Sequence, residues 1–388
     1  MAGRITPGQI KKTNQQSIYE YIYRNEKVSQ QDISYALHLS RPTVATNLAE
    51  LEEDGLIRKD GQRESDQIGR KAAAYSVTPD FRVAVGVEIL TDRVKIIAVD
   101  LHGKKIDRRV LKIPYNNQDA YFEEICLSLL AFLSSLKIPE EKVLGVGITM
   151  QGLVSADRQT MTYGAILDCT GLGIDAFTRP LPFPCSFLHA PDAAALSELW
   201  SSPELTNAVY LSLSQHLGGS LISQRNIVTG KHGHTATFEH IQLRARGELC
   251  YCGNRGCAET LCSMSALLGE EDPDQFFKAL REGADEPVRR WKTYLKNLAT
   301  LIGLLHLVYD VDFILGGHLA VYFTPSDIRF LYEEIRRSCP FEDNDDYISI
   351  SKMPSHNISI GAALPYIQEF LDDVGAAVKP REPSNPFQ

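Results

Sequence analysis

A histidine and three cysteines in the second half of the chain have the residue types and spacing of a metal site. Their pattern is His240-x9-Cys250-x-Cys252-x4-Cys257. One imidazole and three thiols form the ligand set of a tetrahedral zinc site in which protein atoms occupy all four positions. Cys250 and Cys252 are also too close in sequence for a relaxed disulfide. The spacing therefore predicts Zn2+ in a structural role, which is to fix the loop of residues 240–257.

The residues around this loop are consistent with a bound ion. Gly253 and Gly256 allow the chain to turn tightly around a small cation. His232 and His234 lie just before the loop and are alternative imidazole donors to His240.

The remaining cysteines are typical of small buried hydrophobic residues. Eight cysteines in 388 residues are too few for a disulfide scaffold. The five outside the loop stand in separate, mostly apolar settings: Cys126, Cys169, Cys185, Cys262 and Cys339.

The composition indicates a globular protein with two or three domains. Hydrophobic residues make up 44% of the chain and charged residues 23%. There is no run of 18 apolar residues and no apolar leader in the first thirty positions, so we expect a cytoplasmic protein without a membrane span. The net charge is −9, yet residues 1–80 carry eleven basic and eleven acidic side chains. All the net acidity lies beyond this segment, which suggests that the segment is a separate unit.

The N-terminal segment has the pattern of a winged helix-turn-helix. An amphipathic helix is predicted over 13–23, followed by "VSQQDISYALHLSRPTVATNLAELEEDGLI". Ser29 with Asp32 is a helix N-cap pattern. A second short helix begins near Ser40, and Gly55 ends it. The stretch "LIRKDGQRESDQIGRKAAAYSV" then predicts a strand, a turn-rich loop and a strand, which together form a wing.

This segment offers side chains that could contact double-stranded DNA. We expect the second helix to expose residues that reach the major groove, and the wing to supply basic residues for backbone phosphates. The predicted contacts are Arg41, Thr43, Thr46 and Asn47 on the helix and Arg58, Lys59, Arg63, Arg70 and Lys71 on the wing. The segment has no net positive charge, which leaves open the alternative of a small helical domain that docks a protein.

Beyond Thr78 the pattern changes to α/β. Three β-rich runs at hairpin spacing precede a helix near 121–136 and the buried strand "VLGVGITM". A similar succession returns with "NAVYLSLS", a long helix over about 288–309 and "DFILGGHL". Strands that alternate with helices indicate α/β architecture, and two similar halves around a cleft would suit this order.

The helix-turn-helix, the run "CYCGNRGCAE" and the histidine before it resemble the ROK family over nearly the whole chain. The resemblance implies a two-lobed, actin-like fold of the hexokinase and ribonuclease H type, preceded by a winged helix-turn-helix. The family includes sugar kinases, and it includes sugar-responsive repressors that bind operators as dimers or tetramers. We therefore expect a DNA-binding domain over 1–78, an effector domain over 79–376, and a disordered tail over 377–388.

The resemblance also implies that the phosphate-binding loops of the kinases are altered. The family loop D-x-G-G-T matches "VEILTD", in which Glu88 holds the acidic position and Asp92 stands among the residues that replace the phosphate-binding positions. An aspartate there would repel phosphate. The second loop, G-T-G-x-G-G-G, matches residues 214–220 and is only partly retained.

The position of the catalytic base is the decisive difference. Family kinases have N-D-A-N-A-A-A-L-A-E, and "HAPDAAALSE" places Ala190 where the base aspartate would be. A methyl group cannot take a proton from a sugar hydroxyl, so we expect no catalytic residue. Asp192 lies two residues further on, and it is expected to act as the N-cap of a helix that begins at Ala193. Rescue of catalysis by Asp192, and hence an active sugar kinase, is the alternative.

The sugar pocket is retained in outline. By the resemblance, the effector would contact His189, Asp192, Thr237, His240 and Glu259. Thr237 and His240 match the glutamate and the histidine of the family motif G-E-x-G-H. The identity of the ligand is left open: the cleft could bind a different sugar, a sugar phosphate or no ligand. For Glu259 the alternative is a solvated carboxylate at a helix start.

The prediction from sequence is a transcriptional regulator, with repression of carbohydrate metabolism as the expected role. A sugar-like effector would bind without turnover and would change the spacing of two winged domains in a homodimer or a dimer of dimers. The zinc loop is predicted to link the effector cleft to the dimer interface.

Overall fold

The computed structural model describes residues 6–62, 73–339, 346–353 and 357–374. The N-terminal elements are α1 (Pro7–Arg24), β1 (Val28–Ser29), α2 (Gln30–Ala36), α3 (Arg41–Glu53), β2 (Ile57–Gln62) and β3 (Ala73–Val77). The strands form an antiparallel sheet of order β1-β3-β2. This arrangement is a winged helix-turn-helix, as predicted, although the first helix begins six residues earlier than the expected position 13.

Capping side chains fix the two helices of the helix-turn-helix. Ser29 accepts a hydrogen bond from the backbone N–H of Asp32, and Asp32 accepts one from the backbone N–H of Ser29. Ser40 accepts from the backbone N–H of Thr43 at the start of α3, and Gly55 with φ 77° follows the end of that helix. These hydrogen bonds confirm the predicted caps. Such caps form because short polar side chains can accept from the N–H groups that have no partner within the first helical turn.

The rest of the chain forms two lobes around two five-stranded sheets. The first lobe contains β4 (Val83–Ile89), β5 (Val94–Val99), β6 (Lys105–Leu111), α4 (Asp119–Ser135), β7 (Val143–Met150), β8 (Leu153–Val154), β9 (Met161–Tyr163), α5 (Asp175–Thr178), β10 (Cys185–His189) and α6 (Ala190–Ser201). The second contains β11 (Ala208–Leu213), β12 (Leu217–Ser223), β13 (Asn226–Ile227), α7 (Glu259–Cys262), α8 (Met264–Leu268), α9 (Pro273–Arg281), α10 (Asp285–Tyr309), β14 (Asp312–Gly316), α11 (Pro325–Arg336) and β15 (Ile348–Ile350).

The two sheets have the same topology. The first has the order β10-β7-β4-β5-β6 and the second the order β15-β14-β11-β12-β13. In each, the first three strands in chain order form an antiparallel meander, and the last two extend the sheet in parallel from the first strand. The expectation of two similar halves is therefore confirmed by strand order and direction.

The last described helix, α12 (Asn357–Asp372), returns to the first lobe and packs against α6, β4 and β7. Glycines permit the close approach. A Cβ on Gly147 would lie 1.8 Å from the carbonyl oxygen of Ala362, and a Cβ on Gly361 would lie 1.7 Å from that of Ala193. Neither site has room for a side chain, so these glycines set the distance between α12 and its neighbours.

The winged helix-turn-helix shares one apolar cluster with the first lobe. The cluster joins Ile22 of α1 and Leu48 of α3 to Ile97 of β5 and Ile367 of α12, all of which are almost fully buried. A continuous core of this kind holds the two parts together by burial of apolar surface. Within the described residues, no helix combines the length and the apolar character needed to cross a bilayer.

Candidate effector and metal site

The four predicted metal ligands come together in the second lobe. Their donor atoms all lie within 4.8 Å of one another. Nδ1 of His240 is 3.8 Å from Sγ of Cys250, and Sγ of Cys252 is 3.8 Å from Sγ of Cys257. Tetrahedral zinc with Zn–S bonds of about 2.3 Å separates its sulfur ligands by roughly 3.8 Å. The cluster therefore has the size and the donor set that a four-coordinate zinc requires.

The loop around this cluster is tightly folded. The backbone N–H of Cys250 donates to the carbonyl oxygen of Asn254 at 2.8 Å. Gly256 has φ 70°, and a Cβ there would lie 1.6 Å from the carbonyl oxygen of Arg244. Burial lowers the pKa of His240, and the charge of Glu259 partly offsets this effect. The resulting neutral imidazole is the form that binds a metal.

The imidazole of the cluster comes from His240, so the alternative donors His232 and His234 are not needed. These two side chains are exposed, and their ring centroids lie 6.2 Å apart in the loop that precedes the cluster.

Asp192 is placed differently from the prediction. α6 begins at Ala190, and Asp192 is its third residue, so the expectation that Asp192 caps a helix from Ala193 is wrong. Pro191 favours this earlier start because a proline fits the first turn, where no N–H partner is needed. Asp192 instead accepts a hydrogen bond from Oγ of Ser220 at 2.6 Å, and Oδ2 lies 3.7 Å from Nδ1 of His189.

His189 is the residue just before α6, and its side chain is largely buried. Burial alone would lower the pKa of His189, but the hydrogen bond and charge of Asp192 and the charge of Glu239 outweigh burial and raise it. These two carboxylates therefore stabilise the charged form of the imidazole relative to a free histidine.

Glu259 is buried and fully engaged. Its carboxylate lies 2.7 Å from Nδ1 of His216 and accepts a hydrogen bond at 2.7 Å from the backbone N–H of Leu217. Only 6% of the residue is exposed, so the alternative of a solvated carboxylate is wrong. Glu259 follows Cys257 by two residues and thereby ties the metal loop to the glycine-containing turn that opens β12.

Thr237 directly precedes the short 3-10 helix Phe238–His240, and its hydroxyl donates to the carbonyl oxygen of His234 at 3.2 Å. Sequence reasoning missed its neighbour Glu239. This residue is 5% exposed in the short 3-10 helix Phe238–His240. Burial raises the pKa of Glu239 to about 7, although the charge of His189 opposes the shift. A glutamate directly before the predicted metal ligand His240 was the signal available in the sequence.

The kinase-loop positions are occupied by internal contacts. Glu88 is buried at the end of β4, where its carboxylate lies 3.2 Å from Nζ of Lys95 and accepts from Oγ of Ser359 at 2.9 Å. Asp92 pairs with Arg93 at 2.6 Å in the following turn. Both carboxylates are therefore paired with cations of the protein itself.

The outer face of α3 carries most of the predicted DNA contacts. Arg41 and Thr46 are exposed and Thr43 is half-buried. Asn47 is only 4% exposed, so its predicted place on the outer face is wrong. It follows Val44 by three residues, which puts it on the buried side of the helix, and its Nδ2 donates to the carbonyl oxygen of Thr43 at 2.8 Å.

Two of the predicted wing residues are described by the structure. Arg58 is exposed on β2, and Nζ of Lys59 pairs with Glu52 at 2.8 Å. Three other predicted contacts, Arg63, Arg70 and Lys71, lie outside the described residues, as does the tail predicted over 377–388.

The fold and these two surfaces define a two-lobed α/β protein that carries a winged helix-turn-helix. The chain belongs to the ROK family, whose model matches residues 84–352. A model of winged helix-turn-helix DNA-binding domains matches residues 12–58.

Named relatives include regulators. The chain is 24% identical over 261 residues to the DNA-binding transcriptional dual regulator NagC of Escherichia coli strain K12, which covers 66% of this chain and 64% of that protein. The match thus spans just under two thirds of that relative. The chain is also 22% identical over 393 residues to the xylose repressor of Caldicellulosiruptor bescii, covering 93% of this chain and 97% of the repressor.

Solved structures share the fold. A ROK family transcriptional regulator described as a homologue of the E. coli MLC protein has a TM-score of 0.73 at 20% identity and covers 94% of this chain and 98% of its own. A ROK family glucokinase from Streptomyces griseus, in complex with glucose and AMPPNP, has a TM-score of 0.64 at 20% identity and covers 74% and 99%. The two-lobed part of the chain therefore has the actin-like, sugar-kinase type of fold that was predicted.

Proposed function

We propose that this protein is a DNA-binding transcriptional regulator, with repression as its role, that responds to a carbohydrate-like effector and does not phosphorylate it. The observation that carries the proposal is the winged helix-turn-helix joined to a sugar-kinase type of fold. It is supported by Ala190, the first residue of α6, which the family resemblance puts at the position of the kinase base. The relatives named as N-acetylglucosamine and xylose repressors support a sugar-derived effector. We also propose that the protein acts in the cytoplasm as a homodimer or dimer of dimers, with a DNA-binding domain over 1–78 and an effector domain over 79–376.

The non-catalytic part of the proposal follows from the contacts in the cleft. Ala190 has no group that can accept a proton, and the nearby Asp192 is held by Ser220 and His189. Glu88 and Asp92 pair with protein cations in the loop that would face the nucleotide phosphates. An ADP-release assay across hexoses and N-acetylhexosamines should therefore give no turnover above that of a heat-inactivated sample. Turnover at an enzyme-like rate that Asp192→Asn abolishes and Glu259→Gln does not would refute the proposal.

DNA binding is assigned to the exposed face of α3. Its N-terminal turn presents Arg41, and a helix N-terminus that carries short side chains can approach phosphates and base edges. Replacing Arg41 by Ala should weaken operator binding by roughly 1–3 kcal/mol, or about five- to 160-fold, in a titration at fixed salt. Arg289, an exposed arginine of α10, provides a matched control. Equal affinities for wild type and Arg41→Ala would favour the protein-docking alternative.

The structure suggests a route from the cleft to the winged domain through α6. This helix of 12 residues directly follows His189 and contains Asp192 in its first turn, and near its other end Nε1 of Trp200 donates to the carbonyl oxygen of His102 at 2.9 Å. The ring of His102 stacks on Tyr23 of α1 with centroids 4.8 Å apart. An effector that shifts α6 would therefore act on the helix that supports the DNA-binding pair, provided that its affinity differs between the two arrangements.

Zinc is proposed as the structural cofactor. His240 and the three cysteines would hold it, and with four protein ligands the ion has no open position. Its contribution would be to fix the loop that places Glu259 and the 3-10 helix Phe238–His240. Mass spectrometry of the native protein would report the metal content and any co-purified effector in one measurement.

A further inference from the structure

We infer that Glu239 selects the effector by accepting a hydrogen bond from a hydroxyl or ammonium group of an uncharged or positively charged sugar, and that it disfavours acidic sugars. The inference rests on the proposed function, because it concerns the effector pocket of that regulator. It assigns to Glu239 a role for which the sequence pattern gave no expectation.

Glu239 has an unsatisfied acceptor in a buried position. The residue is 5% exposed, and within the described part of the chain its Oε2 has no hydrogen-bond partner. Its other oxygen, Oε1, lies 3.9 Å from Nε2 of His240. A buried carboxylate oxygen without a donor is costly, and buried polar atoms of folded proteins are rarely left in this state. A donor from a bound ligand would remove the cost.

The other two carboxylates of the pocket are already satisfied. Asp192 accepts from Ser220 at 2.6 Å. Glu259 lies 2.7 Å from His216 and accepts from the backbone N–H of Leu217. Oδ2 of Asp192 lies 3.7 Å from Nδ1 of His189. Among these three carboxylates, Glu239 is the one with a fully buried oxygen that has no hydrogen-bond partner.

The charges around Glu239 set the class of ligand. His189 and Glu259 are the charged side chains that act on the Glu239 carboxylate, and Glu239 in turn acts on His189 and Tyr251. Three carboxylates, Asp192, Glu239 and Glu259, thus share this region with histidines. A ligand carboxylate or phosphate at Oε2 of Glu239 would place one acceptor against another, and His189 is a single cation among three carboxylates. A hydroxyl or ammonium group would instead supply the missing donor.

Glu239 supplies a carboxylate near the position where the family motif has its glutamate. In the family motif G-E-x-G-H, the glutamate falls at Thr237 and the second glycine at Glu239 of this chain. The hydroxyl of Thr237 is used within the loop. The acceptor has thus moved two residues along the chain, to the residue next to the metal ligand His240, and we expect a different sugar orientation or a different sugar.

Isothermal titration calorimetry of the zinc-loaded full chain tests the inference with four probes: glucosamine, N-acetylglucosamine, xylose and glucuronate. Wild-type protein should bind at least one of the first three, and glucuronate at least tenfold more weakly. A lost hydrogen bond to a charged group predicts a loss of roughly tenfold or more. Glu239→Gln should show this loss for glucosamine, and Glu239→Ala should show it for every probe that binds.

Controls separate recognition from folding. Glu248→Gln changes an exposed carboxylate of the same metal loop and should leave all affinities unchanged. Zinc content and melting temperature of both Glu239 variants should match the wild type, so that a lost affinity reports the side chain itself. Glu239→Gln, which keeps the shape of the side chain, covers the case in which Glu239→Ala does not fold.

The outcomes that overturn the inference are distinct from those that overturn the proposed function. Equal affinity of a bound probe for wild type and Glu239→Ala, or tightest binding of glucuronate, overturns the inference alone. Absence of binding by all four probes overturns the inference and also the sugar-effector part of the proposed function. Operator binding by the Arg41→Ala and wild-type proteins tests the DNA-binding part independently.

Discussion

Single side chains decide whether the metal loop keeps its shape. Cys252→Ser removes one of four donors, so the protein should lose its zinc, and its stability should fall by about 2 kcal/mol or more, because the metal-binding energy contributes to folding. Atomic absorption and thermal unfolding measure the two effects. Cys339→Ser, outside the cluster, should change neither. A Cys252→Ser protein that retains one zinc per chain would contradict the assigned ligand set.

His189 provides a pH-dependent prediction. Its pKa is raised by Asp192 and Glu239 against the effect of burial, so protonation of His189 favours the folded state. This contribution is present below the unfolded pKa of about 6.5 and is lost as the pH rises through the higher folded pKa. Asp192→Asn keeps an acceptor for Ser220 but removes the charge. The stability difference between wild type and this variant should therefore shrink as the pH rises above 6.5.

Denaturant unfolding between pH 5.5 and 8.5 measures that difference, and NMR reports the pKa of His189 directly. Asp175→Asn is a control because Asp175 is exposed. A stability difference that stays constant across this range would show that Asp192 does not raise the pKa of His189.

Residue types and spacing predicted part of the site, and the reasons for the misses are local. The four residues of the candidate metal cluster could be identified because ligand geometry ties residue type to sequence spacing. Asn47 was misplaced because a polar side chain was expected to face solvent, although it follows Val44 by three residues and so lies on the buried side of α3. Glu239 was missed because the family pattern puts a carboxylate at 237, and the burial of the side chain two residues later becomes visible in the fold.

At the level of elements, α6 is the proposed connection between the effector cleft and the winged domain. Trp200→Phe keeps an aromatic ring against the turn at His102 but removes the hydrogen bond from Nε1. We expect this variant to bind the operator as the wild type does without effector, and to lose at least half of the effector-induced change in affinity. Trp291→Phe in the second lobe is the matched control.

Fluorescence offers an independent measurement of the same element. Trp200 and Trp291 are the two tryptophans of the chain, so Trp291→Phe leaves Trp200 as the single reporter. Effector binding should shift its emission. Two results together would exclude α6 as the route: an unchanged emission spectrum of Trp200 at saturating effector, and a Trp200→Phe protein whose operator affinity changes with effector as much as that of the wild type. They would favour the predicted link through the zinc loop.

The ends of helices were predicted well where the sequence contains strong capping residues. Ser29, Ser40 and Gly55 mark helix ends in the sequence, and the structure confirms them. The start of α6 was misplaced because Ala193 begins a stretch of alanines, whereas Pro191 allows the first turn to begin at Ala190. Strand order within the two sheets needs contacts between distant residues, which one sequence does not provide.

For the whole molecule, the shared apolar cluster predicts cooperative unfolding of the winged domain and the first lobe. Ile367 of α12 is fully buried in this cluster. Ile367→Ala should destabilise both parts together by about 2–5 kcal/mol, because it removes apolar contacts and leaves a cavity. Hydrogen exchange should show loss of protection in α1 and in β5 alike, whereas Ile10→Ala, on the exposed side of α1, should change little.

Faster exchange in Ile367→Ala that is confined to the first lobe would contradict this prediction, since it would show that the winged domain is stable by itself. The domain boundary near residue 78 was visible in the sequence as a change of pattern and of charge. The continuity of the core across that boundary was not visible, because α12 belongs to it through contacts with residues at the other end of the described chain.

The place of α12 has a consequence for synthesis of the protein on the ribosome. The residues of α1 and β5 that face the shared apolar cluster are translated early. The helix that covers them, α12, is translated after the strands of both sheets. A nascent chain would therefore expose an uncovered apolar surface until α12 has been translated. For the proposed regulator, a ribosome that stalls before α12 would yield a product poorly able to recognise a promoter. The order of elements would then limit gene control to chains that carry their sensing half.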